Sequence, residues 1–207
     1  MKLKIFASFL LAIFIMSFTT INKVTKETKM ENYTSLKQYI EKEELPIPLK
    51  KSLFLKNFDD FEEVAFFRKY NVKRKKLNKL LRPDVYLFNA NGQMIDENAL
   101  GGCYIDRTIF NERDYYTEIF NENKLITKGP DNQVCSLELI KDNLIDYEGN
   151  SIFPFKENKP CIIILWAKNK ANVKYTKYLY YLNKQLINKS KTEVDIFYLN
   201  LDHYSYQ

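Results

Sequence analysis

The side chains best suited to chemistry in this chain are three cysteines, Cys103, Cys135 and Cys161, and a single histidine, His203. A thiolate can attack a disulfide, an acyl group or a metal, but only when its surroundings lower its pKa. Cys161 opens the apolar run Cys161-Ile162-Ile163-Ile164-Leu165-Trp166 and has no nearby charge to do so, which reads as a small buried residue. No Cys-x-x-Cys occurs, so a local dithiol centre is excluded. With an odd number of cysteines, one disulfide plus one free thiol is the simplest arrangement. Cys103 and Cys135 are the preferred pair because both lie in polar, turn-rich sequence. His203 follows Asp202 just beyond an apolar run, at a position where open α/β sheets collect ligands, and the alternative is an ordinary surface histidine. Histidine and cysteine spacing gives no metal centre, Gly101-Gly102 lacks a nucleotide-binding context, and no cofactor is expected. Asp59-Asp60 and Glu62-Glu63 read as a solvated helix face.

The elements that must position these residues follow from periodicity. Cys161 to Ala167 is apolar without alternation, as in a central strand covered on both faces. Tyr175, Tyr178, Leu179, Leu182 and Leu186 then form one stripe at helical spacing, with Asn172 as a cap, and Val194 to Leu201 is a second apolar run. Strand, helix of about five turns and strand make a βαβ unit with parallel strands. Ahead of it, Ser136 to Ile140 and Ile152 to Phe155 read as a hairpin about turn signals at Asp142-Asn143 and Glu148-Gly149-Asn150. Further upstream, Phe58 to Leu81 reads as a helix stopped by Pro83, and Asp84 to Met94 as a hairpin about Asn89-Ala90-Asn91-Gly92. Ile109 to Phe120 reads as another helix, and Gly129-Pro130-Asp131-Asn132 as a turn. The resulting division is a leader over 1–20, a charged tether over 21–50, a helix-plus-hairpin region over 51–133 and a βαβ region over 134–207.

The stretch KPCIIILWAKNKANVKYTKYLYYLNKQLINKSKTEVDIFYLNLD resembles the first βαβ unit of exported thioredoxin-like proteins, the group of bacterial thiol-disulfide oxidoreductases and redoxins. There a lysine-proline leads into an apolar strand ending Trp-Ala, a cysteine pair opens the next helix, and a second strand ends near Asn-x-Asp. The resemblance covers residues 136–202 and implies an α/β fold with a thioredoxin-like βαβ core and a preceding hairpin. Aligned on Trp166-Ala167, the two redox positions hold Lys170 and Val173, and neither side chain can form a mixed disulfide. The family's last strands are expected after the second strand, where this chain has only five residues beyond Asp202. Residues 66–96, including Lys69-Tyr70-Asn71-Val72, Pro83 and the hairpin, resemble that missing part, and the helix-plus-hairpin over 58–96 would complete the core in a permuted order. A separate module packed beside the βαβ unit is the alternative.

The first residues point to export. Lys2 and Lys4 precede a run without ionised residues from Ile5 to Asn22, the form of a signal peptide. Its apolar core, Ile5 to Phe18, is shorter than the roughly 20 residues of a spanning helix, which favours a cleaved signal over an uncleaved anchor. Residues 68–82 carry the strongest charge cluster: Arg68, Lys69, Lys73, Arg74, Lys75, Lys76, Lys79 and Arg82. In an exported protein this patch has no nucleic acid to meet, leaving an anionic membrane surface, an acidic partner or plain solvation. The readings that follow are an exported, redox-inactive thioredoxin-like module binding another envelope protein or peptide, a single-thiol enzyme using Cys103 or Cys161, and an envelope-associated structural protein.

Overall fold

The computed structural model describes residues 30–56, 85–96, 99–100, 114–128, 133–168 and 173–205. The expected leader, the helix over 58–81 with its basic patch (Arg68, Lys69, Lys73, Arg74, Lys75, Lys76, Lys79, Arg82), Cys103, Lys170 and the Asn172 cap lie outside the described residues. Among the described residues no helix is long and apolar enough to cross a membrane.

Strand β7 (Cys161–Trp166) is buried along its whole length. Its side chains alternate between two apolar clusters, as the period of two along a strand requires. Ile162, Ile164 and Trp166 join the cluster that contains Leu36, Tyr116, Ile119, Leu179, Leu182 and Leu186. Cys161, Ile163, Leu165 and Ala167 join Leu53, Leu55, Phe88, Ile126, Cys135, Leu137 and Leu144 on the other side. Burying each of these large aliphatic side chains contributes about 1.5–3 kcal/mol, so this strand needs both faces covered. Helix α3 (Val173–Lys189) lies over the first face through Leu179, Leu182 and Leu186, the expected stripe. It leads to β8 (Asp195–Asn200), which pairs with β7 in parallel from Cys161↔Asp195 to Trp166↔Asn200.

The expected upstream hairpin forms as β2 (Val85–Phe88) and β3 (Met94–Ile95). Its loop is held by the Asn89 carboxamide oxygen, which accepts from the N–H groups of Asn91 at 3.0 Å and Gln93 at 2.9 Å. Gly92 sits there at φ +70°, a left-handed conformation that favours glycine. Strand β2 runs antiparallel against β7, from Val85↔Ile164 to Phe88↔Cys161. The 51–133 and 134–207 regions therefore share one mixed sheet.

Among the described residues that sheet has six strands, because two short strands extend it beyond β8. Strand β1 (Ser52–Leu55) pairs in parallel with β8, and β6 (Leu144–Ile145) pairs antiparallel with β1. The order is β3-β2-β7-β8-β1-β6, with β4 (Thr127–Lys128) and β5 (Gln133–Val134) forming a separate pair.

Several local expectations are corrected. Residues 33–49 of the expected tether form helix α1 (Tyr33–Lys42) and then bury Leu45, Ile47 and Leu49. Asn32 and Ser35 start α1 with a reciprocal capping box, at 2.9 and 3.1 Å, and Leu36 is fully buried. The apolar residues are few among lysines, but their spacing suffices to seat the segment. Ser136 to Ile140 is not a strand: Leu137–Asn143 is a 3₁₀ helix, in which the three-residue interval puts Leu137 and Ile140 on one buried face. The strand there is β6, closed back by a single bridge from Ile145 to Ser151, and no strand forms over Ile152 to Phe155. The described part of the Ile109–Phe120 expectation is helix α2 (Tyr115–Glu122), capped by the Asp114 carboxylate.

Candidate functional site

Because β7 and β8 are parallel and in register to their last residues, the chain leaves both at the same edge of the sheet. Leu201 N–H still donates to the Trp166 carbonyl at 2.9 Å, extending the ladder by one step. Beyond it, the Asp202 carboxylate binds the two strand ends together. One of its oxygens, Oδ2, accepts from the Lys168 N–H at 2.6 Å and from the Asn200 carboxamide at 3.1 Å. Asp202 N–H donates in turn to the Asn200 side-chain oxygen at 3.0 Å. Asn200 and Asp202 are both buried. A carboxylate removed from water needs such donors, since without them its charge carries a large desolvation cost.

A second carboxylate reaches this edge from far away in the sequence. Glu31 is only 1% exposed. Its Oε2 atom meets Lys168 Nζ at 2.6 Å and accepts from the Ser35 hydroxyl at 2.5 Å. The backbone of Glu31 forms a parallel bridge beside Tyr204. Glu31 N–H donates to the His203 carbonyl and Ser205 N–H donates to the Glu31 carbonyl, each at 2.7 Å. Lys168 therefore uses its main chain for one carboxylate and its ammonium for another. Tyr39, half-buried, has its hydroxyl held above the usual phenol range by burial and then by the carboxylates of Glu43 and Asp202.

No protein-family model, curated protein or solved structure matches this chain. Its chemistry has to be read from the residues themselves.

Of the residues singled out in the sequence, the structure brings Trp166, Asp202 and His203 to this one edge. Trp166 is 1% exposed, and its indole N–H has no hydrogen-bond partner among the described residues. His203 takes part through its backbone carbonyl, with its side chain half-exposed. Val173 opens α3 and packs, half-buried, against the apolar cluster around β7.

The described cysteines are elsewhere. Cys161 is at the opposite end of β7 from Trp166, five strand steps or about 16 Å away. Burial, reinforced by the Asp195 carboxylate, pushes its thiol up to about 12, so it is protonated at neutral pH. Cys135 is buried, and its backbone joins Met94 and Ile126 in the cluster on the other face. The Cys103–Cys135 pairing involves a residue outside the described set. Among the described residues no group of three or more His, Cys, Asp or Glu side chains could hold a metal ion.

Sequence reasoning missed Lys168 and Glu31. Lys168 was one lysine in a polar turn. Glu31 stood in a stretch read as a tether, where its only signal was the Asn32-x-x-Ser35 cap just after it. A concavity of about 390 Å³ lies near the hairpin turn and is lined by Gly92, Leu137, Phe153, Phe155 and Lys156 among others. It contains none of the residues joined at the strand ends.

Proposed function

We propose that this chain is an exported, redox-inactive thioredoxin-like protein that serves as a binding or accessory module in the cell envelope, its core completed in permuted order by the hairpin over residues 85–95. The observation that carries this reading is the position of β2. It runs antiparallel against β7 on the side opposite β8, giving the partial order β3-β2-β7-β8. A thioredoxin-like core needs its last two strands there, and here an upstream hairpin supplies them.

The absence of redox activity rests on residue types. Val173 stands where the resolving thiol would be and contributes to packing. Lys170 stands where the attacking thiol would be. Cys161, the thiol nearest in sequence, is buried in a strand with its pKa pushed up to about 12. Export rests on the Lys2, Lys4 and Ile5–Asn22 pattern. The occupant of such a module is another envelope protein or peptide. The basic cluster at Arg68–Arg82 adds affinity for an anionic membrane surface.

The test couples activity with location. The purified chain lacking residues 1–20 is given dithiothreitol and a fluorogenic glutathione disulfide, and the full-length chain is expressed in a bacterium with two membranes and fractionated. The expected result is a reduction rate equal to that of dithiothreitol alone, unchanged in Lys170→Ala, with the protein in the periplasmic or membrane fraction. Turnover that disappears on a Cys→Ser change would sink the redox-inactive reading, and a cytoplasmic location would sink the envelope assignment.

A further inference from the structure

The concavity beside the hairpin turn lies where three segments meet: the turn itself, the start of the 3₁₀ helix and the extended run before Lys159. Its volume of about 390 Å³ falls within the range of small-ligand sites, roughly 300–1,000 Å³. One wall is aromatic. Phe155 packs against Phe197 of β8 with ring centroids 4.7 Å apart, and Phe153 packs on Phe155 at 5.0 Å, both pairs edge to face. The inner ring is thus fixed to the sheet, while Phe153 is 37% exposed. Around the rings stand polar side chains without protein partners. Among the described residues, those of Asn91, Ser136, Glu157 and Asn158 make no hydrogen bond, and the Ser136 hydroxyl does not cap the 3₁₀ helix that follows it. Carboxamides and hydroxyls both donate and accept.

Charge narrows the ligand. Glu138 and Glu157 line the concavity together with Lys156, and Lys141 pairs with Glu138 at 3.1 Å while its ammonium lies 5.5 Å from the Phe153 ring centre. The carboxylates and ammoniums balance, so the site has no net field to gather a phosphate or another strongly charged group. The ligand that fits is neutral, rich in hydroxyls and apolar on one face. A pyranose ring has these properties: its C–H bonds present a weakly positive surface to the negative face of an aromatic ring, and its hydroxyls need donors and acceptors side by side. We infer that this concavity is a saccharide-binding site, with Phe153 as the stacking platform and Asn91, Ser136 and Asn158 as hydroxyl partners. The inference goes beyond the protein or peptide partner proposed above and does not depend on it. An extended peptide is the competing occupant, because the backbone N–H and carbonyl groups of Phe153 and Phe155 are also unpaired among the described residues. That run is short, ending at the turn where Asn158 takes φ +59°, and offers too few backbone pairs to hold a strand.

The experiment titrates the isotope-labelled full mature chain with three neutral trisaccharides, chitotriose, cellotriose and maltotriose, and follows amide shifts by NMR. At least one is expected to bind saturably with a dissociation constant of about 1 mM or tighter, its largest shifts at Asn91, Phe153 and Asn158. Phe153→Ala and Asn158→Gly should each weaken that binding at least about fivefold, and glycine keeps the left-handed backbone at 158 unstrained. Phe153→Leu, which keeps the apolar bulk without the ring, should weaken it as well. No saturable shift with any of the three sugars overturns the site. Shifts confined to other residues also overturn it, as does full affinity in both Phe153→Leu and Asn158→Gly. The peptide acetyl-Lys-Val-Tyr-Val-Lys-amide is titrated in parallel. Shifts at Phe153 and Phe155 with the peptide and none with the sugars overturn the saccharide reading and give the concavity to a peptide partner. Disulfide reductase activity in the earlier assay, with saccharide binding intact, would remove the redox-inactive reading and leave this site standing.

Discussion

Glu31 and Lys168, 137 positions apart, meet at 2.6 Å with the carboxylate side chain fully buried and the lysine side chain 22% exposed. This asymmetry makes the two truncations unequal. Lys168→Ala leaves a buried carboxylate with one fewer donor, and breaking a buried pair in this way costs about 3–5 kcal/mol. Glu31→Ala leaves an ammonium that can reach water and should cost less. The double variant removes both charges and should recover part of the Lys168→Ala loss. Urea denaturation of the four proteins checks the order; a larger loss for Glu31→Ala than for Lys168→Ala would contradict it.

The Cys161 thiol should be silent in the native protein at pH 8 and label fully only in denaturant. Its native pKa is pushed up to about 12, above the unfolded thiol value of 9.0. The native state keeps its proton while the unfolded state loses one. The contribution to stability is therefore complete below about pH 9 and declines as pH rises toward 12. Between pH 9 and 11, Cys161→Ala should lose stability less steeply than wild type, as read from urea midpoints.

A buried polar link joins helices α2 and α3. Tyr116 OH donates to the Asn183 side-chain oxygen, and the Asn183 amide donates to the Leu179 carbonyl at 2.6 Å. Tyr116→Phe keeps the ring and deletes that donor, which should cost about 1–3 kcal/mol as a shift in the chemical-denaturation midpoint. An unchanged midpoint would mean that another donor takes its place.

The turn after β6 depends on Asp146. Its carboxylate accepts from the Glu148 N–H at 2.8 Å and the Asn150 N–H at 3.0 Å, with the Asn150 amide at 3.1 Å. Burial pushes this carboxyl upward, but the hydrogen bonds from Asn150, Glu148 and Gly149 outweigh it and hold the pKa below the ordinary 3.8. A lowered carboxylate pKa gives stability that is present above about pH 4 and lost as pH falls through the folded value. Asp146→Ala should cost about 1 kcal/mol at neutral pH and flatten the acid limb of the stability profile.

The elements visible beforehand were those whose residues carry a strong period. The unbroken run at Cys161–Trp166, the stripe through Leu179, Leu182 and Leu186, and the Asn-Gly turn at Asn91-Gly92 each specify a local conformation by themselves. β1 was missed because Ser52–Leu55 is only four residues long and all four are buried, leaving no alternation to read. The 3₁₀ helix at Leu137–Asn143 was misread because Leu137, Leu139 and Ile140 match a strand period as well as a three-residue one. At the candidate site, Trp166, Asp202 and His203 were found from their place at strand ends, whereas Lys168 and Glu31 had only common residue types to offer.

By itself, then, the sequence determined the parallel strand-helix-strand unit, the upstream hairpin and the lack of a local dithiol, since each depends on neighbours a few residues apart. Tertiary structure alone decided that β2 lies against β7, that β1 extends the sheet beyond β8, and that Glu31 reaches Lys168. Those contacts span from 73 to 146 positions. Their selection depends on which apolar faces are left to cover once the local elements exist, and on which buried charge finds an opposite one. Composition records the presence of such groups, but the packed sheet is what brings them within bonding distance.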